Sequence, residues 1–204
     1  MTSRKSLAIS AMVAGAMLFS AAVAVGQGMP RAGHGPMGHG TGHGMGQGAG
    51  MMRMLQGQDT TAAETAELRD LFMFHDRITR SVTLLPDGIH TVTESDDPQL
   101  AGVIVSHVAG MVLRADQGRD PGVAIQSPTL DILFRNRHLI ETVLEPTAKG
   151  IIVIQTSSDA ETVAALQTHA AEVSDMVERG MLAVHEAMAE RQANAGHRRG
   201  VMMR

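Results

Sequence analysis

Two stretches of this chain superimpose without a gap. Ser95-Asp96-Asp97-Pro98-Gln99-Leu100 runs on to Ile104-Val105-Ser106-His107, and Ser157-Ser158-Asp159-Ala160-Glu161-Thr162 runs on to Leu166-Gln167-Thr168-His169. Moving the second back by 62 positions, the separation of His169 from His107, also lays Gly150 on Gly88, Ile140 on Ile78, and Leu130, Leu133 and Phe134 on Leu68, Leu71 and Phe72. Such self-similarity reads as a tandem duplication, and it constrains the fold because each copy is too short to bury two hydrophobic faces alone.

Each copy reads as helix, strand, strand, helix. In the first, Asp59 or Thr60 can cap a helix to about Phe74, with Leu68, Leu71 and Phe72 on one face. Ile78 to Leu85 and Ile89 to Thr93 are rich in Thr, Val and Ile, and the Pro86-Asp87-Gly88 turn between them makes a hairpin. Asp97 followed by Pro98 then starts a helix to about Ala115. In the second copy Ser127-Pro128 opens a short helix through Asn136, and Leu139 to Glu145 and Ile151 to Thr156 form a hairpin about Ala148-Lys149-Gly150. A last helix begins near Ser158 or Asp159, where Ser158 and Glu161 suit a capping box, and runs to about Arg191 with Gly180 as its one weak point. The expected fold is α+β: two hairpins joined as a four-stranded antiparallel sheet, with the long helices on one face. The repeats span 59–118 and 123–192, and a flexible basic tail occupies 193–204.

Before the repeats, Arg4 and Lys5 precede an apolar run from Leu7 to Val25, and Ala22-Val23-Ala24 supplies a small-x-small cleavage pattern. Residues 1–25 read as a secretory signal peptide, cleaved rather than kept as an anchor, so no stable membrane span and a bacterial periplasmic or secreted location are expected. The chain has no Cys, which excludes disulfides, covalent haem attachment through thiols and thiolate chemistry. Formal charge is −4, and an acidic chain argues against a nucleic-acid partner.

Residues 26–58 form a glycine-rich arm expected to be disordered, since it offers little to bury. Between Met29 and Met54 it carries His34, His39, His43, Met37, Met45 and further methionines. Imidazole and thioether are donors suited to copper, above all Cu(I), and glycine spacing lets them converge. In composition the arm is similar to low-complexity stretches of periplasmic copper-resistance proteins, which implies metal capture.

Within the repeats, His107 and His169 are the only histidines equivalent under the shift, and each falls on the apolar stripe of its helix. One reading is a pair of buried imidazoles, each satisfied by a hydrogen bond to the protein. The other is paired ligation, of a transition metal or of the axial positions of a non-covalent haem, with Met111 one turn beyond His107 as a further donor. Val173 stands where the second copy would need the matching thioether. On the last helix Met181, His185 and Met188 share a face and form another candidate metal set. His75 and Asp76 suggest acid/base work that Arg137 and His138 do not repeat, and no nucleophile elbow, phosphate loop or zinc-helix motif is present. The expected function is therefore not enzymatic. It is exported metal binding, copper first, with a haem site or a periplasmic ligand- or protein-binding domain as the alternatives.

Overall fold

The computed structural model describes the backbone of residues 45–202 and the side chains of residues 50–194. The expected leader and most of the arm, including His34, Met37, His39 and His43, lie outside the described residues. The fold is α+β with a four-stranded antiparallel sheet of order β1-β2-β4-β3, formed by β1 (Ile78–Leu85), β2 (Gly88–Ser95), β3 (Glu141–Pro146) and β4 (Gly150–Thr156). Helices α1 (Met45–Met54) and α2 (Ala62–Met73) precede the first hairpin and α3 (Pro98–Asp116) follows it. The second hairpin lies between α4 (Pro128–Arg135) and α5 (Ala160–Arg179), and α6 (Met181–Met202) ends the described chain.

The second strands of the two hairpins make the centre of the sheet. In the β2–β4 register Thr91 pairs with Val153, residues that are themselves 62 apart, and Gly88 pairs with Thr156 while Gly150 pairs with Glu94. The pairing thus maps onto itself about the Thr91–Val153 pair. Bonds at the strand ends repeat the relation: Ser95 N–H donates to Lys149 O at 2.9 Å, and Ser157 N–H to Asp87 O at 2.8 Å. So do the caps, where Asp97 Oδ1 accepts from Leu100 N–H at 3.4 Å and Asp159 Oδ1 from Thr162 N–H at 2.8 Å. Two like units docked about an approximate two-fold axis have this order and register. Descent of both from one copied ancestor is not confirmed by it.

The two equivalent glycines have one purpose. A Cβ on Gly88 would lie 1.9 Å from Gln155 O, and on Gly150 2.0 Å from Thr93 O, so the central strands approach where only glycine fits.

One sheet face is packed. Residues opposite one another across a ladder point to the same side, so Ile78, Arg80 and Val82 of β1 share a face with Ile89, Thr91 and Thr93 of β2, Ile151 and Val153 of β4, and Leu144 of β3. Over that face Leu100 and Ile104 of α3 cluster with Ile78, Ile151 and Val153, while Ala165, Leu166 and Ala170 of α5 cluster with Ile89 and Leu133. Helix α3 is long and apolar enough by composition to cross a bilayer, and here that character serves packing on the sheet and on α2.

Several expectations change. The arm overlaps the fold at its end: Met45–Met54 is helical, and Leu55, 1 % exposed, packs with Phe72 and Val184. The last helix is not continuous, because Gly180 adopts φ 58° and separates α5 from α6, and the His75 ring lies where a Cβ would sit, 2.6 Å away. Beyond that break the helical backbone continues through Met202, past the start expected for a flexible tail. At the α2 start the capping box belongs to Thr61 and Glu64, and α5 is capped by Asp159 rather than through Ser158.

One buried cation ties α2 to the far end of α3. Arg114, 2 % exposed, donates from Nε to Glu64 Oε1 at 2.7 Å, from Nη2 to Glu64 Oε2 at 2.9 Å and from Nη1 to Asp59 Oδ1 at 2.7 Å. Those Arg114 bonds hold the Glu64 carboxyl down to about 2 from its ordinary 4.5, overcoming the opposite push of burial. A carboxyl depressed in the folded state contributes stability that is complete above its unfolded value and lost on acidification. Stability tied to Glu64 should therefore be lost as pH falls from 4.5 toward 2. Thermal unfolding across that range should show a shallower acid slope in Glu64→Gln than in the parent, and Arg114→Met should cost about 2 kcal/mol at pH 7, the range of hydrogen bonds to charged groups. An unchanged acid slope would show that the pair carries no linkage.

Candidate ligand-binding site

The space between α3, α5 and the packed sheet face is not closed by side chains. A cavity of about 350 Å³ lies there, lined mainly by apolar groups and bounded at its ends by α2, α4 and the link through Val123 and Ile125. Its floor is the inner face of the sheet, including Arg80, Thr91, Thr93, Ile89, Val153 and Gln155. One wall is Ile104, His107, Val108 and Met111 of α3, and the other is His169, Val173, Met176 and Val177 of α5. The walls stand apart because α3 packs on α2, and α5 on α4 and α6, rather than extensively on each other.

Both histidines singled out by the repeat thus line one cavity, on opposite walls, above a floor centred on the Thr91–Val153 pair. The fold explains why: residues 62 apart on α3 and α5 are related by the same axis that relates the strands. Burial lowers the His107 pKa, Glu67 and Glu64 push the other way, and His169 is near enough for its charge to lower it further. His107 is therefore a neutral imidazole at pH 7, the form that ligates metals.

The two imidazoles differ in their surroundings. His107 has no protein hydrogen bond among the described residues, and its environment is carried by burial and by charges at a distance. His169 Nδ1 is buried without a hydrogen bond, and so is Glu172 Oε2, the atom it faces at 3.7 Å. That separation is too long for a hydrogen bond, so the contact is electrostatic. The carboxylate is fixed from its other oxygen, where Ser127 Oγ donates at 2.6 Å and Thr129 Oγ1 at 2.9 Å. Burial alone would raise the Glu172 pKa, yet it lies below the ordinary value because His169, Ser127 and Thr129 favour the ionised form. An ionised carboxylate behind Nδ1 selects the Nδ1–H tautomer and leaves Nε2 as the lone-pair donor.

The other candidates separate. Met111 lines the cavity beside His107, as the spacing on α3 suggested. Met45 begins the α1 backbone, and its side chain lies outside the described residues. Met181 and Met188 pack against the Leu55, Phe72 and Val184 cluster, while His185 on the same helix is exposed. Among the described residues no three His, Cys, Asp or Glu side chains stand close enough to hold an ion by themselves. His75 lines the cavity, but its Nδ1–H donates to Val177 O at 2.9 Å, which engages the ring in packing α5.

Sequence reasoning missed Arg80, Gln155 and Met176 in the lining. Arg80 was missed because an arginine in a Thr- and Ser-rich strand reads as a solvent-facing position. Its alternation with Ile78 and Val82 was the signal that puts it on the inner face. No protein-family model, curated protein or solved structure matches this chain.

The hydrogen-bond inventory gives a direct test of the two histidine readings. A buried imidazole bonded to protein loses stability when replaced by an apolar group, while one without a partner gains it. His107→Leu, in protein prepared without added ligand, is expected to raise stability by about 1 kcal/mol, read as an upward shift in thermal midpoint. A loss of similar size would mean that the imidazole is held structurally.

Proposed function

We propose that this is an exported, non-catalytic binding protein whose central cavity holds a metal-centred organic cofactor, with haem as the class that fits best, between His107 and His169. The observation carrying this reading is that two equivalent imidazoles lacking protein hydrogen bonds line opposite walls of one apolar cavity. Size favours an organic cofactor over a bare ion. A volume of about 350 Å³ falls in the range of small-molecule sites, roughly 300–1,000 Å³, and is far more than a naked cation needs. Non-covalent binding suits a chain without Cys, and Nε2 of His169, backed by Glu172, is a strong axial donor.

Addition of haem to the purified protein is expected to give a Soret band of the low-spin, bis-imidazole type. His107→Ala and His169→Ala should each convert it to a five-coordinate spectrum and weaken binding roughly tenfold or more. Glu172→Gln should keep the band but weaken binding. Spectra indifferent to both histidine substitutions would refute the assignment.

Copper is the second reading, and a different segment supports it. The clustering of His34, Met37, His39, His43 and Met45 among glycines favours capture of Cu(I) by the arm. Deletion of residues 26–44, which spares α1, is expected to remove most Cu(I) binding measured by competition with a chromogenic chelator, while leaving the Soret band intact. Equal Cu(I) binding by the full-length and truncated proteins would dispose of the arm as a copper site.

A further inference from the structure

Two arginines are withdrawn from water in this fold, and they are treated oppositely. Arg114 is surrounded by carboxylates and a backbone carbonyl, and every part of its guanidinium is used. Arg80 projects from β1 onto the inner sheet face and lines the cavity. Its Nη1 donates to Thr93 Oγ1 at 2.5 Å, directly across the ladder, but its Nε is buried with no partner. Among the described residues no carboxylate lies within ion-pairing distance of it, since the recorded pairs involve the other arginines, Lys149 and His169.

Burial is the sole influence on its pKa, which falls to about 10, so the group remains a cation at neutral pH. A buried charge without a counter-charge is costly, and an arginine cannot escape by deprotonation near neutrality. The fork of N–H donors that Thr93 leaves open matches the geometry of a carboxylate. Nothing in the packing requires a cation there: the position 62 residues on is Thr142, and the neighbours on the same face of β1 are Ile78 and Val82.

We propose that Arg80 receives an acidic group, of the carboxylate class, on the organic molecule bound in the central cavity. This rests on the reading that the cavity binds an organic ligand, and it adds that the ligand is an apolar body bearing an acid directed at the sheet floor. For a porphyrin, the carboxylates are the peripheral propionates, which lie away from the metal and leave the imidazoles their own task.

The test uses two porphyrin probes that differ only in that acid, protoporphyrin IX and its dimethyl ester, each without metal and each with iron. Binding of the metal-free pair is followed by porphyrin fluorescence, which does not depend on axial ligation. The full chain is expected to bind the metal-free diacid roughly tenfold or more tightly than the diester. Arg80→Met, which fills similar space without charge, should abolish the preference, and Arg80→Lys should retain part of it. Thermal unfolding of the ligand-free Arg80→Met protein reports that it is folded, and removal of a buried unpaired charge should leave it at least as stable as the parent. Equal binding of diacid and diester, no effect of Arg80→Met, or no binding of either metal-free probe would each overturn the proposal. The iron-loaded pair separates it from the cofactor reading. A histidine-dependent Soret band with diester and diacid alike would leave the axial pair standing while Arg80 loses its role. An Arg80-dependent preference for the metal-free diacid, with no histidine-dependent band, would do the reverse.

Discussion

The close approach of β2 and β4 is the constraint from which the rest of the molecule follows. At Gly88 and Gly150 the partner strand's carbonyl comes nearer than any side chain would permit. That contact closes both ends of the central ladder and fixes its register on Thr91 and Val153. A shift by one residue would put Ile151 and Val153 of β4 on the face opposite to Ile89 and Thr91 of β2. With the register set, α3 and α5 must lie over the same face, and each finds its apolar contacts on that face: α3 with Ile78, Ile151 and Val153, α5 with Ile89. The cavity is the consequence. Each long helix is satisfied by the sheet and by its neighbouring helices, and little is left to draw the two together above the axis.

Much of this was legible because the relevant signals are local and doubled. The Asp97 and Asp159 caps, the hairpin turns, and the glycines at equivalent places each specify an element boundary, and the fold keeps the same 62-residue offset between His107 and His169. The strand order was not legible, since either strand of a hairpin can present an edge and only packing chooses. Leu55 and the α1 helix escaped notice because a glycine-rich composition masks one well-placed aliphatic residue whose partners, Phe72 and Val184, are far away in sequence. The α5–α6 break was visible only as a weak point at Gly180. The space a Cβ would need there is taken by the His75 ring, which comes from a segment remote in sequence. On α6 a shared arc of helix does not mean a shared burial: Val184 rather than His185 occupies the buried line between Met181 and Met188.

Polar groups in the interior divide by whether the protein itself satisfies them. Arg114, Glu64, Asp59 and Thr61 form a closed set in which every charge has its partner, and their effect is to clamp α2 to α3. Arg80 Nε, Gln126 Oε1, His169 Nδ1 and the outer oxygen of Glu172 are left open. Buried polar groups are ordinarily bonded, and three of these four residues line one cavity, which points to a common cause more readily than scattered exceptions would. One is an imidazole on a helical wall and one is a cation on the floor. That distribution is complementary to a ligand with an electrophilic centre and an acidic periphery.

The approximate symmetry stops short of the chemistry, and where it stops is informative. Behind His169 stands Glu172, held by Ser127 and Thr129; the residue 62 positions earlier, in the same relation to His107, is Gly110. Met111 beside His107 corresponds to Val173 beside His169. One imidazole therefore faces a carboxylate fixed by Ser127 and Thr129, while the other has an open flank and a thioether within its own helix turn. Equivalent positions in the fold thus have unequal surroundings. The two-fold plan brings the two imidazoles to one cavity, and the departures from it determine what each can do there.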